Sequence, residues 1–142
     1  MQSAIYSITN KFNGKVYIGS TINFEKRKSE HLAMLQKGRH ENVNIDIDLK
    51  EFDYTAFRID ALSTFDNIPT LWLRYLENAW IDYCSYHFKL YNVNHNTIGF
   101  GQIKHSFPTR NERLAFRKVK RVEMTKINEI VKVLILSHNK QD

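Results

Sequence analysis

The sequence predicts an α+β domain built on a small three-stranded, mainly antiparallel sheet flanked by helices, with a basic helical extension at the carboxyl end. Three observations carry that reading. β-Branched and aromatic residues crowd two short runs around an Asn-Gly pair, apolar residues recur at three- and four-residue steps from about residue 69 to 86, and lysines and arginines gather beyond residue 109.

Ala4-Ile5-Tyr6-Ser7-Ile8-Thr9 and Lys15-Val16-Tyr17-Ile18-Gly19 each read as a strand. Between them Asn13-Gly14 supplies the positive φ angles of a tight reversal, so the two runs form a hairpin. Asn23 or Thr21 then caps a helix through Phe24, Arg27, His31 and Leu35 to a stop at Gly38. A second helix covers about residues 42 to 53. Phe57, Ile59 and Ala61 alternate with Arg58 and Asp60, making residues 56 to 62 a third strand that joins the hairpin. In the next helix Leu73, Leu76, Trp80, Tyr83 and Cys84 trace a buried stripe, and Glu77 lies within it. Tyr91-Asn92-Val93-Asn94 is a short extended segment, and Gly99, Gly101 and Pro108 break the chain beyond it. The domain edge is expected near residue 96, giving a domain over 1–95 and a linker with a basic amphipathic helix over 96–142. In that helix Val119, Val122, Ile127, Ile130, Val131 and Leu134 mark the apolar face.

A chain of 142 residues suits one compact domain plus an appendage. Its 42% apolar content is too high for a disordered chain. No apolar run approaches the length of a membrane span, and the amino terminus lacks the order of a signal peptide, so a cytoplasmic location without a membrane partner is expected. Cys84 is the only cysteine, which excludes an intramolecular disulfide and a cysteine-built zinc site and leaves it as a small core residue. The formal charge of +6 favours a polyanionic partner, nucleic acid foremost, because cations that meet phosphates release condensed counterions. Charge alone does not decide the function.

Five residues invite chemistry, each with a plainer reading beside it. Glu77 in an apolar stripe needs a cation, a donor or a raised pKa: it is either the partner of Arg27 or a lysine, or a metal ligand. Arg27 and His31 leave one face of the first helix a turn apart, either as a solvated polar face or as a pair gripping one phosphate. Tyr6 and Tyr17 on paired strands are either packing aromatics or phenols whose proton is drawn off by nearby positive charge for general-base work.

Ala4-Ile5-Tyr6, Asn13-Gly14-Lys15, Val16-Tyr17-Ile18-Gly19, Arg27, His31, Glu77 and Tyr91-Asn92, taken in this order over residues 3 to 95, resemble the signature of the GIY-YIG nuclease family. The likeness is greatest to the catalytic domain of phage homing endonucleases. Ala4 stands where the first motif usually has glycine. The resemblance implies the GIY-YIG-like sheet and flanking helices, with Tyr6 and Tyr17 on adjacent strands. It implies Tyr6 as general base with Tyr17 as alternate, Arg27 on the scissile phosphate, His31 at the reacting phosphate region, and Glu77 as ligand of one divalent metal, Mg²⁺ or Mn²⁺. His40 resembles a further histidine of the homing enzymes, and Asn92 matches a late asparagine that organises hydrogen bonds. The expected activity is metal-dependent hydrolysis of DNA phosphodiesters, of a phage or mobile-element type. The alternative is a noncatalytic nucleic-acid-binding module or a nuclease subunit targeted by a partner, and a protein partner or homodimer for second-strand cleavage stays open. Lys26 and the run Arg110, Arg113, Arg117, Lys118, Lys120 and Arg121 are the candidate DNA contacts, with a helix merely packed on the domain as the plainer reading of that run. Homing enzymes append a long linker and a DNA-reading domain, whereas about 46 residues follow residue 96, so long-site recognition is not expected.

Overall fold

Strand β1 (Ser3–Asn10) occupies the centre of the sheet, between β2 (Val16–Thr21) and β3 (Phe57–Phe65), and both pairings are antiparallel. The structure, a computed structural model, describes residues 1–93 and 109–139. The readings at Asn94, Gly99, Gly101 and Pro108 and the boundary at 96 lie outside them, as does the side chain of Leu134.

Every residue of β1 is buried, which a central strand covered on both faces requires. The hairpin turn differs from its sequence reading in one respect. Gly14 alone takes a positive φ, 75°, and Asn13 does not. The reversal is instead organised by Asn10, whose Oδ1 accepts from the amides of Phe12 and Asn13 at 2.9 and 3.4 Å. β3 runs to Phe65, past the expected end at 62, and its register with β1 shifts between Ile5 and Tyr6, so that Ile5 faces Ser63 and Tyr6 faces Ala61. That irregularity ends the simple alternation on which the shorter reading rested.

Helix α1 (Phe24–Gln36) starts at Asn23, whose side chain accepts from the Lys26 amide, while Thr21 braces Asn23. It stops at Gly38, where a φ of 74° lets the Gly38 and Arg39 amides reach the carbonyls of Leu35 and Met34. Helix α2 (Val43–Glu51) is capped by Asn42, and a 3₁₀ turn (Tyr54–Ala56) leads into β3. Helix α3 (Thr70–Ser85) buries Leu73, Tyr75, Leu76, Trp80, Ile81 and Cys84. Cys84 is a core residue, and burial pushes its thiol up to about 12.

The two sheet faces carry separate apolar clusters. Tyr6 and Ile8 look toward Leu35, Ile45, Leu49 and Tyr91, that is, toward α1 and α2. Ile5, Val16 and Ile18 look toward α3 and toward Phe116, Ile127 and Val131 of helix α4 (Arg110–Asn139). α4 is therefore packed on the domain. Its buried stripe holds Glu123, which accepts from Trp80 Nε1 at 2.8 Å and from Ser63 Oγ at 3.1 Å. Val122, expected on the apolar face, is 61% exposed. Arg110, Arg117, Lys118, Lys120 and Arg121 point outward, and Arg113 is half-buried. No described helix is long and apolar enough to cross a membrane.

Candidate active site

The hydroxyl of Tyr6 is the centre on which the site is built. Tyr6 is only 2% exposed, and its pairing with Gly19 lays its ring across that glycine. A Cβ on Gly19 would lie 2.6 Å from both Cζ and Oη of Tyr6 and 2.9 Å from Cε1 of Tyr17. The bare backbone at 19 is thus what lets the two tyrosines sit against β2. Tyr17 lies beside Tyr6 with ring centroids 6.2 Å apart.

His31 lies on the α1 face turned toward the sheet, and its Nε2 is 2.8 Å from Tyr6 Oη. It is fully buried, so it is no part of a solvated face. Its Nδ1 meets Nε2 of His40 at 2.9 Å, and Nδ1 of His40 accepts from the Asn42 backbone amide at 2.9 Å. Both ring nitrogens of His31 are in use. Burial, then the charges of Arg27 and His40, lower its pKa to about 4, and burial lowers that of His40 as well.

Arg27, one turn before His31, lies beside the Tyr6 phenol and pairs with Glu30 at 3.0 Å and with Glu41. Its partial burial disfavours the cation, but those three partners outweigh that and keep the guanidinium charged. The expected partnership of Arg27 with Glu77 is not formed among the described ion pairs. Burial holds the Tyr6 phenol well above its usual range, and Tyr17 adds to this, while the nearby guanidinium of Arg27 opposes it. Tyr17 is raised too, by burial and then by Glu77.

Glu77 comes from the opposite face of the sheet. Ser20 on β2 and the charge of Arg74 favour its carboxylate form. Burial prevails and raises its pKa. With Tyr17, Asn42, Asn78 and Asn92 it lines a cleft of about 260 Å³. This cleft lies at the outer edge of β2, where Leu90 forms a parallel bridge with Val16. Asn92 closes part of that edge: its Oδ1 accepts from the Ile18 amide at 3.0 Å and its Nδ2 donates to the Ile18 carbonyl at 2.8 Å. Next to it the Tyr91 amide donates to the Val16 carbonyl at 2.8 Å.

The fold thus brings together Tyr6, Tyr17, Arg27, His31 and His40, with Glu77 and Asn92 across the cleft. It does not bring the basic residues of α4 to them, since α4 covers the sheet face opposite Tyr6. Lys26 is exposed on α1. Sequence reasoning passed over Asn42, which caps α2, donates from Nδ2 to the Tyr91 carbonyl at 3.0 Å and presents its amide to His40. An asparagine at a helix start was the available signal. It also passed over Asp48, which accepts from Tyr91 Oη at 2.6 Å and from Asn13 Nδ2 at 2.9 Å. An aspartate inside a short helix gave no cue to a partner 43 residues away.

Comparison with known proteins agrees with this geometry. The chain is 32% identical over 99 residues to intron-associated endonuclease 1 of Enterobacteria phage T4, covering 70% of this chain and 40% of that protein. It is 33% identical over 134 residues to uncharacterized protein 019R of Invertebrate iridescent virus 6, covering 91% of this chain and 44% of that one. The chain therefore spans less than half the length of these relatives. Among solved structures, the catalytic domain of the intron endonuclease I-TevI, in a point-mutant form, superposes with a TM-score of 0.58 at 30% identity, covering 70% of this chain and all of that one. Another structure of the catalytic domain of homing endonuclease I-TevI gives 0.56 at 30% identity, over 65% of this chain and 98% of that one. Residues 2–92 match the family model of the GIY-YIG catalytic domain, so the chain belongs to the GIY-YIG family.

Proposed function

We propose that the chain hydrolyses DNA phosphodiester bonds, in the manner of phage or mobile-element homing nucleases, with Tyr6 as the general base. The observation that carries this is the convergence of Tyr17, Arg27 and His31 on one buried phenol beside a polar cleft that holds a lone glutamate. His31 at the phenol oxygen and the charge of Arg27 favour its ionised form, which burial otherwise opposes. The phenolate takes a proton from water as the water oxygen bonds to phosphorus. The bond from phosphorus to the 3′ oxygen breaks and that oxygen takes a proton from solvent water, giving a 5′-phosphate and a 3′-hydroxyl with no covalent enzyme intermediate. Arg27 exchanges a carboxylate partner for the phosphate and holds its charge by planar donation. His31 has both ring nitrogens engaged within the protein, so its role is to hold Tyr6.

The donor set suits a hard cation that keeps most of its waters: one half-buried carboxylate, beside the amide side chains of Asn78 and Asn92. Among the described residues no group of three His, Cys, Asp or Glu is placed to hold a metal by itself, which does not suit zinc. Glu77 would hold one divalent ion, Mg²⁺ or Mn²⁺, which when bound supplies positive charge beside the phosphate and the departing oxygen. Lys26 and the outward cations of α4 would contribute affinity for the DNA backbone.

The test is Glu77→Ala assayed for nicking and linearisation of supercoiled plasmid with Mg²⁺ or Mn²⁺, for DNA binding in EDTA, and for Tm. Cleavage should vanish while binding and Tm persist. Retained cleavage would refute the metal site, and a lowered Tm corresponding to a stability loss of roughly 3 to 5 kcal/mol, that of a broken buried ion pair, would make Glu77 a structural residue.

A further inference from the structure

We infer that the Asn42 backbone amide fixes the tautomers of His40 and His31, making His40 a positioning residue that turns His31 into a one-way donor to Tyr6. The inference rests on Tyr6 as general base. An amide N–H has a proton to give and no lone pair to offer, so its 2.9 Å contact makes Nδ1 of His40 the bare, accepting nitrogen. Neutral His40 then carries its proton on Nε2, directed at Nδ1 of His31, 2.9 Å away. Nδ1 of His31 must accept, so the His31 proton sits on Nε2, directed at Tyr6 Oη at 2.8 Å. The two imidazoles lie within 9° of parallel with centroids 5.1 Å apart, the arrangement of rings meeting edge to edge through an N–H···N bond. The anchor is itself held. Asn42 caps the Asn44 and Ile45 amides, each at 3.0 Å, and the His40 amide donates to Asp46 Oδ1 at 2.9 Å.

This row of hydrogen bonds ends in a donor, and that has a chemical consequence. If Tyr6 passed its proton to His31, protons would have to move on to His40 Nε2 and then from Nδ1 against an N–H that cannot accept. The histidines are therefore closed to the Tyr6 proton as a relay. They donate toward the phenol oxygen, stabilise its anion, and leave its proton to depart on the side of Tyr17 and the cleft. The neutral state this demands agrees with the low pKa of His31.

The direct test is a long-range ¹H–¹⁵N correlation spectrum of the full chain with labelled histidine at neutral pH. Both His31 and His40 should show the Nε2–H tautomer. His31 as the Nδ1–H tautomer or as imidazolium would overturn the inference. Two variants read the same donor by activity. His40→Gln puts an amide nitrogen where Nε2 lies and should retain plasmid cleavage, whereas His40→Met fills the space without a donor and should lose about tenfold. Equal losses would refute the donor role, and if either variant fails to fold the wild-type spectrum still decides. Tyr6→Phe separates the two claims: full activity in it would remove Tyr6 as base, while the histidine tautomers would be judged by the spectrum.

Discussion

Replacing Gly19 by alanine adds a single methyl group, in a place where it meets the hydroxyl proposed as the general base. The new Cβ would stand 2.6 Å from Cζ and Oη of Tyr6, whereas ordinary contact begins at 3.4 Å. The tyrosine must therefore retreat by about 0.8 Å, close to the 1 Å misplacement that costs about 100-fold in rate. The 2.8 Å contact with His31 cannot survive that movement unchanged, because His31 is packed with no exposed surface and both nitrogens committed. Tyr17 offers no easy relief, since its ring carbon is 2.9 Å from the same Cβ. Overpacking of this kind costs about 1 to 3 kcal/mol of stability, so the variant should stay folded with a lower Tm.

The assay is plasmid cleavage under single-turnover conditions, with Tm measured on the same preparations. Gly14→Ala serves as the control: its strain comes from a φ of 75° at the hairpin turn, costs about 1 kcal/mol, and leaves the Tyr6 ring untouched. Gly19→Ala should cleave about 100-fold more slowly, and Gly14→Ala at the wild-type rate. Wild-type cleavage by folded Gly19→Ala would show that the position of the Tyr6 hydroxyl does not govern the reaction.

Two further predictions concern stability. Ending the chain at residue 108 removes Phe116, Ile127 and Val131 from the core and strips Trp80 Nε1 and Ser63 Oγ of their carboxylate partner, so the shortened protein should be insoluble or lack a cooperative melt; a soluble 1–108 fragment with the wild-type Tm would show that α4 is dispensable. Acidification from pH 6.5 to 4 should lower Tm, because unfolded His31 takes a proton near 6.5 while the folded ring refuses it until about 4; His40 acts in the same sense and the raised Glu77 opposes it, and a Tm that holds or climbs across this window would contradict the buried neutral histidines.

Most of the scaffold was legible because it depends on local rules. The hairpin runs, the Asn23 cap, the Gly38 stop and the α3 stripe each follow from residues within a few positions of one another. The five chemical residues were legible only as an ordered set, since each had a stronger plain reading by itself. What escaped was set by distant partners. Asp48 gains its meaning from Tyr91, and Asn42 from His40 and Tyr91. The ion pairs of Arg27 with Glu30 and Glu41, in place of Glu77, depend on which sheet face each element covers. Val122 was placed on the buried face of α4 although Glu123 occupies it, because a carboxylate reads as outward until Trp80 and Ser63 are seen to donate to it.

The placement of these partners also dictates how substrate must enter. No buried side-chain nitrogen or oxygen among the described residues lacks a hydrogen-bond partner. On the proposed function, the site meets a phosphodiester with its buried polar groups already committed, and binding has to exchange partners. Tyr6, His31 and His40 lie deep and hold one another, so their arrangement is costly to disturb. Arg27 is different: its two carboxylates are 44% and 54% exposed, and exposed ion pairs are worth little. A phosphate arriving along the β2 edge can therefore take over the guanidinium at small cost while the buried row behind it stays in place. The site divides into a rigid part that sets the base and a labile part that receives the charge, and the boundary between them follows burial.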